Sequence, residues 1–150
     1  MKCLNLKKIL LWVLCALGTS VLITLVFKAF NGDTINPLYA VGSIDETGEV
    51  EESEVSIYTK NAFEFEVLTV DWDDEKTGSY QLFYYDEDDE FVSASEIYSG
   101  DNEIEMVEGA TQARLVITPV LEEKDEINFF EIIKYSNYAK LTHEAVKEDK

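Results

Sequence analysis

Tyr80 to Ala94 reads YQLFYYDEDDEFVSA. Six residues of dense β-propensity run into five consecutive acids, and a second short apolar stretch, Phe91 to Ala94, follows. Aromatic side chains fit a pleated surface, and aspartate is favoured where the chain turns. The segment therefore predicts strand, turn, strand. Along the first strand Tyr80, Leu82 and Tyr84 share one face and Gln81, Phe83 and Tyr85 the other, so at least one face is core.

The same texture repeats outward in both directions at intervals of about 10–15 residues, which suits short antiparallel strands. Upstream lie Val55–Tyr58 (VSIY) and Phe63–Val67 (FEFEV), the latter alternating with Phe63, Phe65 and Val67 inward. Asp71 to Gly78 is an acidic turn cluster. Downstream, Ile104 and Met106 alternate with Glu103 and Glu105, and ARLVIT (Ala113–Thr118) ends at Pro119. INFFEIIKY (Ile127–Tyr135) fits helix or strand by period, and its aromatic and β-branched content assigns it to strand. Tyr138–Val146 supplies a last strand. Seven to nine strands with no helical stretches between them predict an all-β antiparallel sandwich. Residues 31–54 read as a stalk and acidic linker holding a first strand, 55–146 as the sandwich, and 147–150 as a tail.

The first 30 residues are of another kind. Ile9 to Phe27 (ILLWVLCALGTSVLITLVF) holds no charge. As a helix it would be about 28 Å long, close to the ~30 Å of a bilayer's hydrocarbon core. The run is longer than a signal peptide's apolar region, and no well-placed pair of small residues follows it. It is read as an uncleaved signal anchor and single-pass transmembrane helix. Lys2, Lys7 and Lys8 precede it and Lys28 follows, which keeps the N-terminus inside and places the remainder outside.

From Asp33 onward eight basic residues face 31 acidic ones, a balance of −23. Such a surface repels phosphate backbones, so nucleic acid is excluded as a partner, and cations, basic proteins or neutral glycans are the compatible classes. The two cysteines, Cys3 and Cys15, both lie in the N-terminal segment. The outer domain thus has neither a disulfide framework nor a thiol nucleophile, a pattern suited to a bacterial cell surface.

The order FYYDEDDEFVSAS, NEIEMVEGATQARLVITP, INFFEIIKY resembles the second half of galactose-binding-like jelly-roll domains. The shared features are a tyrosine-rich strand, an acidic hairpin, a small-residue turn and an Arg-hydrophobic strand, here Arg114-Leu115-Val116-Ile117. Ala113 stands where an aromatic is commoner. The resemblance implies a jelly-roll sandwich and non-catalytic binding of a carbohydrate or other partner.

Residues able to carry chemistry are few. One histidine, His143, reads as solvated in the polar C-terminal region; a multi-histidine zinc site is ruled out, and a histidine-based triad is not expected. No carboxylate pair stands out among so many, so no enzyme is expected. Trp72 sits between Asp71 and Asp73. A flat indole with flanking carboxylates is what a sugar needs, and Tyr85 and Arg114, the sole arginine, complete the candidate ligand set. The competing role for Trp72 is to cap the sandwich, and for Arg114 to pair with a carboxylate on a neighbouring strand. Asp86, Asp88 and Glu90 alternate as calcium oxygens do, but without an EF-hand's glycine and distant glutamate. The plainer reading of that run is a solvated hairpin turn, and no cofactor is assigned. The resulting expectation is a membrane-anchored, extracytoplasmic binding module, glycan-binding in its sharpest form. The alternative is a small structural subunit of a membrane or cell-envelope assembly.

Overall fold

The computed structural model describes residues 34–121 and 126–144. The proposed anchor, Ile9 to Phe27, lies outside them. Among the described residues no helix is long and apolar enough to cross a membrane.

Eleven strands form three sheets among the described residues, and every pairing is antiparallel. The strands are β1 (Thr34–Ile35), β2 (Tyr39–Val41), β3 (Ser43–Ile44), β4 (Val50–Glu51), β5 (Ile57–Thr59), β6 (Val67–Trp72), β7 (Gly78–Tyr85), β8 (Phe91–Ala94), β9 (Asn102–Glu105), β10 (Gln112–Pro119) and β11 (Ala139–Glu144). A four-stranded sheet runs β1-β11-β6-β9 and a five-stranded sheet β2-β5-β10-β7-β8, with β3 and β4 as a separate hairpin. The protein is an all-β antiparallel sandwich, as the strand texture implied.

The centre of the five-stranded sheet is the pair read most easily from sequence. β7 and β10 pair over their full lengths, from Tyr85 opposite Gln112 to Gly78 opposite Pro119. Their inner faces supply Tyr80, Leu82, Tyr84, Ala113, Leu115 and Ile117. From the other sheet come Leu68, Val70, Trp72, Ile104 and Leu141. Fully burying one such leucine or isoleucine is worth roughly 1.5–3 kcal/mol. The outer face of the same sheet carries a second, smaller cluster. Phe83, Tyr85, Val116 and Ile44 are buried there, with Tyr58 and Phe91 packed against them. Both faces of β7 are therefore buried.

Three expectations need correction. Ile127–Tyr135 is not a strand: a 3-10 turn at Phe129–Glu131 leads into helix α1 (Ile132–Ser136). A capping box fixes its start. Asn128 Oδ1 accepts from the Phe130 N–H at 3.0 Å, and Glu131 Oε2 accepts from the Asn128 N–H at 3.1 Å. Those bonds satisfy N–H groups that a strand would have needed a neighbour for. Second, Phe63 makes only an isolated bridge to Ala113, and the strand proper runs from Val67 through Trp72 with Leu68, Val70 and Trp72 inward. Third, the stretch read as a stalk and acidic linker holding one strand contains more structure than that, including the β3–β4 hairpin. β1 and β2 pair with β11 and β5, so residues 34–54 take part in the sandwich.

Candidate functional site

Two turns of one design meet at an end of the five-stranded sheet. In the β7–β8 turn the Asp86 N–H donates to Glu90 O at 3.0 Å, and Asp86 Oδ1 accepts from the N–H groups of Asp88 and Glu90, each at 2.9 Å. In the β3–β4 turn the Asp45 N–H donates to Glu49 O at 2.9 Å, and Asp45 Oδ1 accepts from the Thr47 N–H at 2.8 Å, the Thr47 hydroxyl at 2.7 Å and the Glu49 N–H at 3.1 Å. These donors hold the exposed Asp45 carboxyl below its usual 3.8, the Thr47 hydroxyl contributing most. The tip of the second turn docks on the base of the first. The Tyr85 hydroxyl donates to Gly48 O at 2.7 Å, and Gly48 lies against the Phe91 ring so closely that an added Cβ would stand 2.5 Å from it.

Arg114 lies beside this junction. It faces outward from β10, opposite Phe83, with its guanidinium carbon 5.1 Å from the centre of the Tyr85 ring. Burial of Tyr85 raises its phenol above the ordinary value, Arg114 opposes that, and the carboxylates of Glu49 and Asp45 add to it. The competing role for Arg114, a cross-strand ion pair, is not seen among the described residues. No hydrogen bond or ion pair joins the guanidinium to another described residue, and its Nε is buried without a partner.

Two residues back on the same face, Gln112 Nε2 donates to Asp86 O at 3.0 Å and to Asp89 Oδ1 at 2.8 Å. Beyond Gln112 opens a groove of about 820 Å³. Phe65, Met106 and Ala110 give it an apolar floor, and Glu64, Glu66, Glu87 and Asp89 stand around it. A set of carboxylates over an apolar floor accepts hydrogen bonds and tolerates positive charge, and it disfavours anions.

Of the residues singled out from sequence, Tyr85 and Arg114 come together. Trp72 is elsewhere and does not present its ring. It is 6 % exposed, stacks on Tyr80 at 5.3 Å between ring centres and meets Tyr138 edge-on at 5.7 Å. Its indole N–H donates to Lys76 O at 3.1 Å. Here Trp72 is a core residue, because its place on β6 points it between the sheets. Asp71 and Asp73 remain exposed. Asp73 Oδ1 accepts from the Glu75 N–H at 3.0 Å, so it braces its own turn. The alternation Asp86, Asp88, Glu90 does not gather three ligands: among the described residues no three His, Cys, Asp or Glu side chains stand where they could hold a metal ion. Asp86 instead spends its carboxylate on backbone N–H groups, and the neighbouring residues Glu87 and Asp89 line the groove. His143 is half-buried near the end of β11, opposite Leu68.

Glu64, Glu66, Met106 and Gln112 were not candidates from sequence. Only the strand register brings them beside the β7–β8 turn, and the FEFEV alternation was the one local hint that Glu64 and Glu66 share an exposed face. Comparison with known protein families, curated proteins and solved structures finds no match.

Proposed function

We propose that this chain is a membrane-anchored, extracytoplasmic, non-catalytic binding module of the galactose-binding-like jelly-roll type, with its ligand seated in the groove beside the β7–β8 turn. The observation that carries this reading is the groove itself: about 820 Å³, open, floored by Phe65, Met106 and Ala110 and surrounded by four carboxylates. Glycan hydroxyls donate to carboxylates, and the apolar face of a sugar ring suits such a floor. The compatible ligand is a neutral or amino-bearing glycan, since the balance of −23 opposes a polyanion. The glycan reading thus moves from Trp72 to Glu64, Glu66, Glu87, Asp89 and Gln112. A glycan array probed with the full chain in detergent tests it. Retention that falls at least tenfold in Glu66→Gln/Asp89→Asn, with an unchanged melting point, supports the groove. An array that is blank for the wild-type chain removes the glycan.

A second reading, a structural subunit of an envelope assembly, has its own support. Phe129, Phe130 and Ile133 are 77 %, 86 % and 73 % exposed. An apolar patch held out on a capped turn is costly to leave in water and suits a protein contact. Phe129 and Phe130 meet edge-on at 5.9 Å between centres. If this reading holds, Phe130→Ser releases the chain from a membrane complex resolved by native electrophoresis, and the groove variants leave that complex intact.

A further inference from the structure

We propose that Arg114 is a receptor for one carboxylate of a ligand, held ready by Tyr85 and kept free of the domain's own acids. It is the only arginine in a chain with 31 acidic residues. A purely structural arginine there would be expected to form a bidentate pair, because the guanidinium fork matches a carboxylate and the pair repays its desolvation. Arg114 forms none among the described residues. Its Nε is sealed from solvent with no acceptor, a cost that native structures seldom leave uncompensated.

What fixes the side chain is the aromatic ring. The guanidinium carbon sits 5.1 Å from the Tyr85 centroid, within cation–π range. Tyr85 is itself fixed, 4 % exposed and bonded through its hydroxyl to Gly48 O at 2.7 Å. Three acids of the two adjoining turns each have an oxygen occupied. Asp45 Oδ1 is taken by Thr47 and Glu49, Asp86 Oδ1 by Asp88 and Glu90, and Asp89 Oδ1 by Gln112. The local bonds that build both turns thus engage one oxygen of each of these carboxylates, and none of the three pairs with Arg114 among the described residues. With Nε enclosed, the guanidinium is left to present its two terminal nitrogens end-on. That fork takes one planar carboxylate, with both oxygens bonded in parallel.

The charge of the surroundings selects within the anions. A monoanion on an otherwise neutral or cationic ligand meets less repulsion from Glu49 and Asp45, whose charges act on Tyr85, than a phosphate dianion does. Carboxylate is therefore the assigned class. The receptor is separate from the groove, since Arg114 does not line it, and it stands or falls without the glycan reading.

A chain with one arginine has one set of guanidinium resonances, which makes the test direct. The ¹⁵N-labelled full chain in neutral detergent micelles is titrated with sodium acetate, sodium phosphate or sodium chloride at matched ionic strength. The expected result is a saturable shift of the Arg114 Nη–H signals with acetate. Those signals, broadened by rotation in the free chain, should sharpen and separate as both oxygens bind. Chloride should give only a small linear drift, and phosphate should bind more weakly than acetate. Arg114→Lys keeps the charge and loses the fork, so the acetate-induced shifts of the Tyr85 and Gln112 amides should fall at least fivefold. A linear acetate response equal to that of chloride would show a solvated, structural arginine and overturn the proposal. Phosphate binding tighter than acetate would overturn the choice of carboxylate. Should Arg114→Lys fail to fold, the three-salt comparison on the wild-type chain decides alone.

Discussion

Asp45-Glu46-Thr47-Gly48-Glu49 and Asp86-Glu87-Asp88-Asp89-Glu90 are the same turn built twice. In each, the N–H of the fourth residue donates to the first residue's carbonyl, at 3.0 Å for Gly48 and 3.3 Å for Asp89, and the first aspartate accepts from the third and fifth N–H groups. In each, the fourth residue is left-handed, with φ of 83° at Gly48 and 63° at Asp89. The flanking pairs also correspond, Ile44 opposite Val50 and Tyr85 opposite Phe91. The difference lies in what the fourth residue touches. Gly48 is buried against Phe91, and its carbonyl takes the Tyr85 hydroxyl. Asp89 is exposed and reaches sideways to Gln112. One design closes a second core in one place and edges a groove in the other. Backbone geometry sets the turn, and the surroundings set its use.

The comparison breaks most sharply at residue 48. Gly48→Ala adds a Cβ 2.5 Å from the Phe91 ring at a left-handed backbone position. Overpacking costs about 1–3 kcal/mol and left-handed φ another 1 or so, for a total of about 3 kcal/mol. Urea unfolding of the full chain in detergent measures it. A loss under 1 kcal/mol would mean that the hairpin does not dock on Phe91.

Tyr85→Phe should come next. It leaves the buried Gly48 carbonyl without its donor while keeping the ring under Arg114, and the expected loss is about 1–2 kcal/mol. Hydrogen exchange refines the expectation. Protection should fall in β3 and β4 and stay unchanged at Leu115 and Ile117, which belong to the main core. A uniform loss across both clusters would show that the two cores unfold as one.

How much of this was legible beforehand follows from which interactions are local. β7, β8, β9 and β10 were readable because alternation and turn residues lie within the segments themselves. Phe83 and Tyr85 could not be assigned from β7 alone, since their burial depends on Ile44 and Gly48, some 40 residues upstream in the chain. Trp72 looked like a turn residue because aspartates flank it, yet the strand register with Ala139 carries it into the core. INFFEIIKY was assigned to strand on its aromatic and β-branched content, and the capping residues Asn128 and Glu131 within it carried a helix signal that the assignment did not use. The groove was the least legible part. Its acids come from the approach to β6 and from the β7–β8 turn, and only pairing unites them.

A pH series tests the first aspartate of the β3–β4 turn. Hydrogen bonds hold the Asp45 carboxyl below 3.8 in the folded chain. A lowered folded value means that its contribution is present above the unfolded pKa and is lost as pH falls through the folded one. Asn at this position can accept the same bonds and does not titrate. Asp45→Asn should therefore be slightly less stable than the wild-type chain at pH 7, and its acid limb below about pH 4 should be flatter. Identical acid limbs would show that the Thr47 and Glu49 bonds do not favour the charged form.

The smallest effect isolates the left-handed residue itself. Aspartate at φ 63° is tolerated rather than preferred, and glycine fits there without steric cost. Asp89→Gly relieves that strain and removes one charge from beside Glu64, Glu66 and Glu87. It also loses the bond to Gln112 and adds freedom to the unfolded chain, so its net change should stay within about 0.5 kcal/mol of zero. Asp89→Ala loses the same bond and the same charge but keeps a Cβ at positive φ. The difference between these two variants should be about 1 kcal/mol in favour of glycine. That difference is the conformational cost of a side chain at this step of the turn, measured at an exposed position. Subtracted from the cost of Gly48→Ala, it leaves the energy of seating the β3–β4 tip on Phe91. If glycine and alanine at position 89 prove equally stable, residue 89 is not left-handed in solution, and the two turns are not copies of one design.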